Sequence, residues 1–438
     1  MHTLEMLRSQ QLTGTQRLNL GTGLTSFPTE ILALADSLEV LDLSNNALTT
    51  LPDSFTQLHR LKAAFFNNNA FEVVPEVLAH CPQLSMVGFK ANQITHIPPG
   101  ALPAATRWLI LTDNRLETLP DSLGQLPKLQ KLMLAGNRLR ALPDALAHCR
   151  NLELVRIAAN RLDHLPAWLL SLPRLSWLAY AGNPFCQGAA SAPLSLPQIP
   201  WRDLAVGEVL GQGASGVISS GQWYRAGGST PVAIKIFKGA MTSDGLPEDE
   251  MRACIAAGAH PHLIGPLGQI VGHPEQKHGL VLPLIEPSYR VMGGPPSLSS
   301  CTRDTYPAGT EFGLAVALGI AQGVAAAAAH LHSRGILHGD LYPHNTLVNP
   351  AGDVRLSDFG AASFYNPAGS EAAALERLEV RAFGCLLEDL CDRTPAPADQ
   401  LLPLRQLQAA CLQPEVLARP SFDDIVATLA TVTVSDPS

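Results

Sequence analysis

From Leu38 onward the chain repeats one pattern of apolar and polar positions, L-x-x-L-x-L-x-x-N-x-L-x-x-L-P. The asparagines of successive units are Asn46, Asn69, Asn92, Asn114, Asn137, Asn160 and Asn183, spaced 23, 23, 22, 23, 23 and 23 residues apart. Prolines close the units at Pro52, Pro75, Pro98, Pro120, Pro143 and Pro166. An earlier unit, Leu18-Asn19-Leu20 to Phe27-Pro28, fits with one residue deleted and Gly23 near the Asn position. A unit this short cannot bury its own apolar face, so the period predicts stacked units that share one core. Each unit supplies a short strand whose leucines point inward. The Asn amide joins backbone groups of adjacent turns that would otherwise be buried without partners. These asparagines are therefore read as structural. The last unit closes on Gly182-Asn183-Pro184-Phe185-Cys186, a terminating cap.

The pattern resembles a leucine-rich repeat, which implies an α/β solenoid over residues 1–186. Its useful surface is the concave face, formed by strand residues that point away from the core. Phe65, Trp108, Ile110, Met133 and Trp177 fall in those outward columns and make an apolar stripe. Such a stripe predicts a binding patch for a protein partner or for this chain's own second domain. Residues 187–200 are rich in Ala, Ser and Pro and predict a short, semi-stiff linker.

At Trp201 the periodicity changes. Val209 to Ile218 carries Gly211, Gly213 and Gly216 between two strand patterns. A dinucleotide site needs a helix after its glycines, whereas here a strand, Val217 to Tyr224, follows. Glycines let a backbone close over phosphates without side-chain clash. Val232-Ala233-Ile234-Lys235 reads as a strand. Glu248, Asp249 and Glu250 open a helical pattern that leads to His260-Pro261-His262-Leu263-Ile264. Leu280 to Ile285 is an apolar strand ending in a hinge, and Glu286 to Thr310, rich in Pro, Gly and Ser, predicts a mobile insertion. An Ala-rich helix over Phe312 to Ala329 precedes His338-Gly339-Asp340-Leu341-Tyr342-Pro343-His344-Asn345. Asp358-Phe359-Gly360 follows.

This ordered set resembles the protein kinases: glycine loop, V-A-I-K, helix Glu, H-x-D-x(4)-N, then D-F-G. Glu379 to Leu387 is similar to their D-V-W-S-F-G-x-x-L helix. Cys411-Leu412-Gln413-Pro414 to Arg419-Pro420-Ser421-Phe422 is similar to their C-terminal motif. The resemblance covers about Trp201 to Val432 and implies an α+β two-lobed kinase-like domain over 201–438. It implies ATP and Mg2+ as cofactors. Gly211, Gly213, Gly216, Ile218, Ala233 and Leu282 would then border the nucleotide. Lys235 would reach its phosphates, held by Glu250, with Glu248 the other candidate. Asp340 would take or orient the hydroxyl proton, and Asn345 and Asp358 would bind the metal.

Four features depart from the family. Gly339 stands where Arg is usual, which implies regulation without activation-loop phosphorylation. Tyr342 and His344 stand where Ser/Thr and Tyr kinases place a cation, so the transferring phosphoryl group has one fixed charge fewer. Glu379 replaces an Asp expected to brace the catalytic loop. The segment after D-F-G lacks A-P-E, so the peptide shelf is short or absent and Arg419 lacks its Glu. His338-Gly339-Asp340 also resembles the H-G-D of small-molecule phosphotransferases. The expected function is an ATP-dependent protein kinase, Ser/Thr by the family's habit, with repeats for protein recognition. A pseudokinase scaffold and a small-molecule phosphotransferase are the alternatives.

The 438 residues allow two domains with cores of their own, and 46% hydrophobic against 16% charged content fits folded domains. A formal net charge of -8 disfavours a nucleic-acid binder held by phosphate contacts. The eight cysteines are scattered, with no C-x-x-C pair, and read as reduced thiols of a cytoplasmic protein. Met1 to Leu12 lacks a signal-like apolar run. The Ala-rich stretch lacks the Leu/Ile/Val density of a membrane span and is expected to be a buried helix.

Overall fold

The structure, a computed structural model, describes residues 2–186, 196–213, 215–239 and 241–432. It divides into two compact units, Met1–Arg174 with Asn183–Phe185, and Leu175–Gly182 with Cys186–Ser438.

The first unit opens with α1 (Leu4–Arg8), capped by the Thr3 hydroxyl, which accepts from the Met6 N–H. Seven three-residue strands follow: β1 (Arg17–Asn19), β2 (Val40–Asp42), β3 (Ala63–Phe65), β4 (Met86–Gly88), β5 (Trp108–Ile110), β6 (Lys131–Met133) and β7 (Leu154–Arg156). They pair in parallel in chain order, with Val40 opposite Ala63 and Met86 opposite Trp108. The middle residue of each strand, such as Leu41 or Leu109, is wholly buried. That is the inward column the repeat predicts. Short 3-10 turns, among them Asp53–Gln57 and Glu76–His80, follow the unit-closing prolines.

The asparagine ladder forms as expected. Asn92 Oδ1 accepts from the Phe71 N–H at 3.0 Å, and its Nδ2 donates to the carbonyls of Phe66 (2.9 Å) and Phe89 (3.1 Å). Asn69 and Asn114 repeat this one turn earlier and one turn later. Phe55, Phe66, Phe71 and Phe89 fill the core between turns, with the Phe66 and Phe89 rings stacked at 5.0 Å.

The second unit begins with β8 (Trp177–Ala179), the strand of the last repeat. Then come β9 (Gln198–Pro200), β10 (Leu204–Gln212), β11 (Gly216–Arg225), β12 (Gly228–Phe237), α2 (Pro247–Ala257), β13 (Gly268–Val271) and β14 (Gly279–Pro283). These strands after β8 form a sheet in the order β10-β11-β12-β14-β13-β9, antiparallel except for β9 beside β13. The remaining elements are β15 (Arg290–Val291), α3 (Leu314–Ser333), β16 (Ile336–Leu337), β17 (Thr346–Val348), β18 (Val354–Leu356), β19 (Ser363–Phe364), α4 (Ala372–Asp392), α5 (Ala398–Cys411) and α6 (Phe422–Ala430).

Three expectations need correction or closer bounds. Residues 187–195 of the expected linker lie outside the described residues, and its end is not linker: Gln198–Pro200 joins the sheet, with Ile199 1% exposed beneath β13. The insertion expected to be mobile is tied down at both ends. Arg290–Val291 pairs with β17, while Arg303 forms ion pairs with Glu388 and Asp389 of α4. Its composition gave loop chemistry correctly, but charge pairing to a distant helix orders it. Trp177 does not belong to an open apolar stripe, because it is 1% exposed. Met133 is buried too and accepts from Trp108 Nε1 at 3.4 Å.

The Ala-rich helix α3 is long and apolar enough to cross a membrane by length and composition alone. Here it packs against α4, α6 and β18, with Ala317, Ile320, Ala321, Val324, Ala328 and Leu331 buried.

Candidate functional site

Strand register gathers the expected nucleotide-binding residues on one sheet face. Ile218 pairs with Lys235, and Ala233 pairs with Leu282. Paired residues share a face, as do residues two apart, so all four side chains lie on the same side of the sheet. Gly216 lets the loop settle there: a Cβ on it would sit 2.6 Å from the Ile236 carbonyl oxygen. A Cβ on Gly211 or Gly213 would meet nothing within 4 Å, so the loop leaves room beneath its backbone.

Lys235 forms a buried ion pair with Glu250 of α2, and Glu248 is exposed. Of the two candidates, Glu250 is therefore the partner. Burial favours the neutral amine, but the carboxylates of Glu250 and Asp358 outweigh it and hold the Lys235 pKa above its ordinary value. Phe359 is buried in the cluster that contains Met251 of α2, Leu263, Leu331 and Leu356. It rests on the His338 ring at 5.4 Å. Asp358 adopts φ 62°, and its Oδ1 accepts from the Gly360 N–H at 3.0 Å.

Asp340 and Asn345 meet directly. Asn345 Nδ2 donates to Asp340 Oδ2 at 2.8 Å and to the Asp340 carbonyl at 3.0 Å. With the amide nitrogen engaged there, Asn345 Oδ1 is the atom left to act as a cation ligand. Among the described residues no three His, Cys, Asp or Glu side chains gather into a metal cage. Two oxygen donors, Asn345 and Asp358, suit a hard cation that fills its other positions with water and phosphate oxygens.

Glu379 turns out to fill the role of the expected Asp. Its Oε1 accepts from the Gly339 N–H at 2.7 Å, and its Oε2 from the His338 N–H at 3.2 Å and from His332 Nε2 at 2.8 Å. Burial works to raise its pKa, yet His332, His338 and the Gly339 N–H together hold it below the ordinary value. His332 Nδ1 in turn meets the Tyr365 hydroxyl at 2.8 Å. The longer Glu side chain therefore braces the loop backbone.

The substrate side of the loop differs from expectation. Tyr342 is 3% exposed, so it cannot reach out as a Lys would. His344 hydrogen-bonds Asp304 at 2.8 Å. Burial disfavours its charge, but Asp304 and the nearby Asp340 and Asp358 raise its pKa above the ordinary value. Asp304 thus favours the charged form of the imidazole on this side of the loop. Nothing local marks Asp304 in the sequence, since it lies 40 residues upstream in the insertion. After D-F-G, β19 pairs with β16, and α4 begins at Ala372. Only residues 361–371 lie between D-F-G and α4. Ser363 and Tyr365 of that segment are buried, and Ser370 is exposed. Arg419 donates to the carbonyls of Gln413 and Arg377 at 2.8 and 2.9 Å.

A family model for protein tyrosine and serine/threonine kinases matches residues 204–382. Leucine-rich-repeat models match residues 37–58, 82–139 and 104–162. The human non-receptor tyrosine-protein kinase TNK1 is 32% identical over 171 residues, 37% of this chain and 23% of that protein. CBL-interacting protein kinase 22 of Oryza sativa subsp. japonica is 29% identical over 164 residues, 36% of each chain. A solved leucine-rich-repeat protein of Leptospira interrogans aligns with a TM-score of 0.34 and 28% identity, over 40% of this chain and 50% of that one. The chain spans less than half the length of the curated relatives it matches.

Proposed function

Since this chain carries leucine-rich repeats N-terminal to a protein kinase domain, we propose that it transfers the γ-phosphoryl group of ATP to a protein hydroxyl. The observation that carries this reading is the closed Lys235–Glu250 ion pair, on the sheet face shared by Ile218, Ala233 and Leu282. Burial alone would account for the pairing of Lys235, but not for its place on the sheet face shared by Ile218, Ala233 and Leu282. A kinase domain implies ATP and a divalent cation, and the residues present suit both. Gly211, Gly213 and Gly216 would cradle the phosphates, Lys235 would hold them, and Asn345 and Asp358 would ligate Mg2+. Bound MgATP supplies the transferable group. Asp340 would accept the proton of the incoming hydroxyl, and His344 would set positive charge beside it.

Serine or threonine is the proposed acceptor, and the cytoplasm, where scattered thiols stay reduced, the proposed location. A protein partner on the solenoid face, around Phe65, Trp108 and Ile110, is proposed to bring the acceptor. The test is purified full chain with labelled ATP and Mg2+, beside Asp340→Asn and Lys235→Met. Label on protein in the wild type alone supports the reading. No label, with MgATP still raising the melting temperature, would replace it with a nucleotide-binding scaffold. Label that appears only on an added small alcohol or amine would replace it with a small-molecule phosphotransferase.

A further inference from the structure

The departure at Gly339 has a structural counterpart within the second unit. The segment Leu175–Gly182 lies against both the loop at Asp340 and the segment after D-F-G. Trp177 Nε1 donates to the Leu341 carbonyl at 3.1 Å. Its indole stacks on the Tyr342 ring at 4.3 Å with an 8° interplanar angle, and Tyr342 rests in turn on His344 at 4.9 Å. Tyr180 reaches the other side: its N–H donates to Ser363 Oγ at 3.0 Å and its hydroxyl to the Phe364 carbonyl at 3.3 Å. Arg381 of α4 donates to Ser176 Oγ at 2.8 Å. Gly339 adopts φ 73°, and a Cβ there would sit 2.6 Å from the carbonyl oxygens of Leu178 and Ala361. Any side chain at 339, Arg above all, would expel the strand. The missing Arg is therefore the slot through which Leu178 passes.

We infer that Trp177 and the Leu175–Gly182 backbone are positioning residues for phosphoryl transfer, clamping the Asp340 loop to the segment after D-F-G where other kinases use an Arg and a phosphorylated loop. The clamp sits beside a site already assembled. The Lys235–Glu250 pair is closed, Asn345 holds Asp340, and β16 pairs with β19. A cover that blocked the site would have no need to hold it in this arrangement. The inference rests on the phosphotransfer reading for its catalytic part. It also makes a physical claim, that Trp177 restrains residues 338–346, which stands or falls without activity.

The full chain is compared as wild type, Trp177→Ala, Trp177→Phe and Tyr342→Leu. Self-phosphorylation with MgATP gives kcat and KM, and amide hydrogen exchange is followed at 338–346 and 361–366. Trp177→Ala is expected to lower kcat at least about tenfold with KM for ATP within about twofold, and to speed exchange at 338–346. Trp177→Phe keeps the flat ring and should restore most of the rate, which a simple loss of fold would not allow. Should Trp177→Ala fail to fold, Tyr342→Leu removes the stack from the loop side and decides alone. A rise in kcat on breaking the stack would overturn the inference in favour of a blocking strand, and an unchanged kcat would overturn it outright. If the wild type transfers no phosphate, the phosphotransfer reading fails and exchange decides the clamp: faster exchange at 338–346 upholds it, unchanged exchange overturns it.

Discussion

The asparagine ladder of the repeat unit and the ion pairs of the second unit bury polar groups in different ways. The repeat unit buries a row of neutral amides, each closing its hydrogen bonds on its own turn and the one before, beside a few charged side chains, Lys131, Glu153 and Arg156. Asn69 reaches Leu48 N, Leu43 O and Phe66 O, none more than 26 residues away. The second unit buries charge and closes it over long distances. His332 meets Glu379 across 47 residues, Arg303 meets the buried Asp389 across 86, and Asp304 meets His344 across 40. The neutral amides, satisfied in place, form a ladder that carries no charge of its own. Buried carboxylates and cations are costly unless paired, and an arrangement that pairs them fixes charge at set points. The first arrangement suits a scaffold; the second suits chemistry.

The contrast also explains what could be read beforehand. A bond that closes every 23 residues prints itself on the sequence as a period, so the solenoid and its Asn ladder were legible. The Lys235–Glu250 pair was legible too, because it spans 15 residues and sits in a recognisable order of motifs. Asp304 and His332 were not, and Trp177 was singled out only as one of an apolar stripe, not as the partner of Leu341 and Tyr342. Their partners lie far along the chain, and each resembles an ordinary residue of its own neighbourhood: a loop acid, a helix-end histidine, an outward strand position. Glu379 was visible but misjudged. The family pattern has Asp there, and only the geometry shows that one more methylene still reaches the Gly339 and His338 amides.

The sharpest test of the contrast is a charge whose loss should harm chemistry and spare fold. Asp340→Asn keeps an acceptor for Asn345 Nδ2 yet removes the proton acceptor. Phosphoryl transfer is expected to fall by about 10²–10⁴-fold, about 3–5 kcal/mol of barrier. The melting midpoint should stay within error, and a large fall in it would make Asp340 a fold residue like the asparagines.

Glu379→Gln comes next, because it removes a buried charge on which three donors converge. Turning one acceptor oxygen into an NH2 sets donor against donor, and the expected loss is about 3 kcal/mol in denaturant unfolding. The pH dependence has a definite sign. His332 and His338 face the carboxylate, its folded pKa lies below the usual 4.5, and the unfolded chain therefore takes up the proton first. The stability it supplies is complete above that value and is lost as pH falls through the lower folded pKa. The wild type should thus lose more stability than Glu379→Gln does as pH falls below about 4.5. Equal acid limbs would mean that the charge contributes nothing to folding.

On the solenoid side, Asn92→Ala strips the partners from the Phe71 N–H and the Phe66 and Phe89 carbonyls. The expected cost is about 1–3 kcal/mol, with faster amide exchange at Phe71 and no change in the pH dependence of stability. An effect that varied with pH would break the contrast between neutral and charged burial.

The smallest effect is expected where a polar group is neither buried nor distant. Ser421 caps α6: its hydroxyl accepts from the Asp424 N–H at 3.0 Å, while Asp424 Oδ2 accepts from the Ser421 N–H at 2.9 Å. The cap sets the entry of a helix whose Phe422, Ile425 and Leu429 are buried. Ser421→Ala should cost about 1 kcal/mol and Ser421→Gly only a few tenths, because glycine leaves the helix end open to water. Both values come from local solvation, so they should not depend on long-range pairing at all. If Ser421→Ala cost as much as Glu379→Gln, sequence distance would not be what separates the two classes of buried and capped polar groups. Helix docking, through the Phe422 ring stacked on His332 at 5.2 Å, would then carry the Ser421 signal into the same network as Glu379.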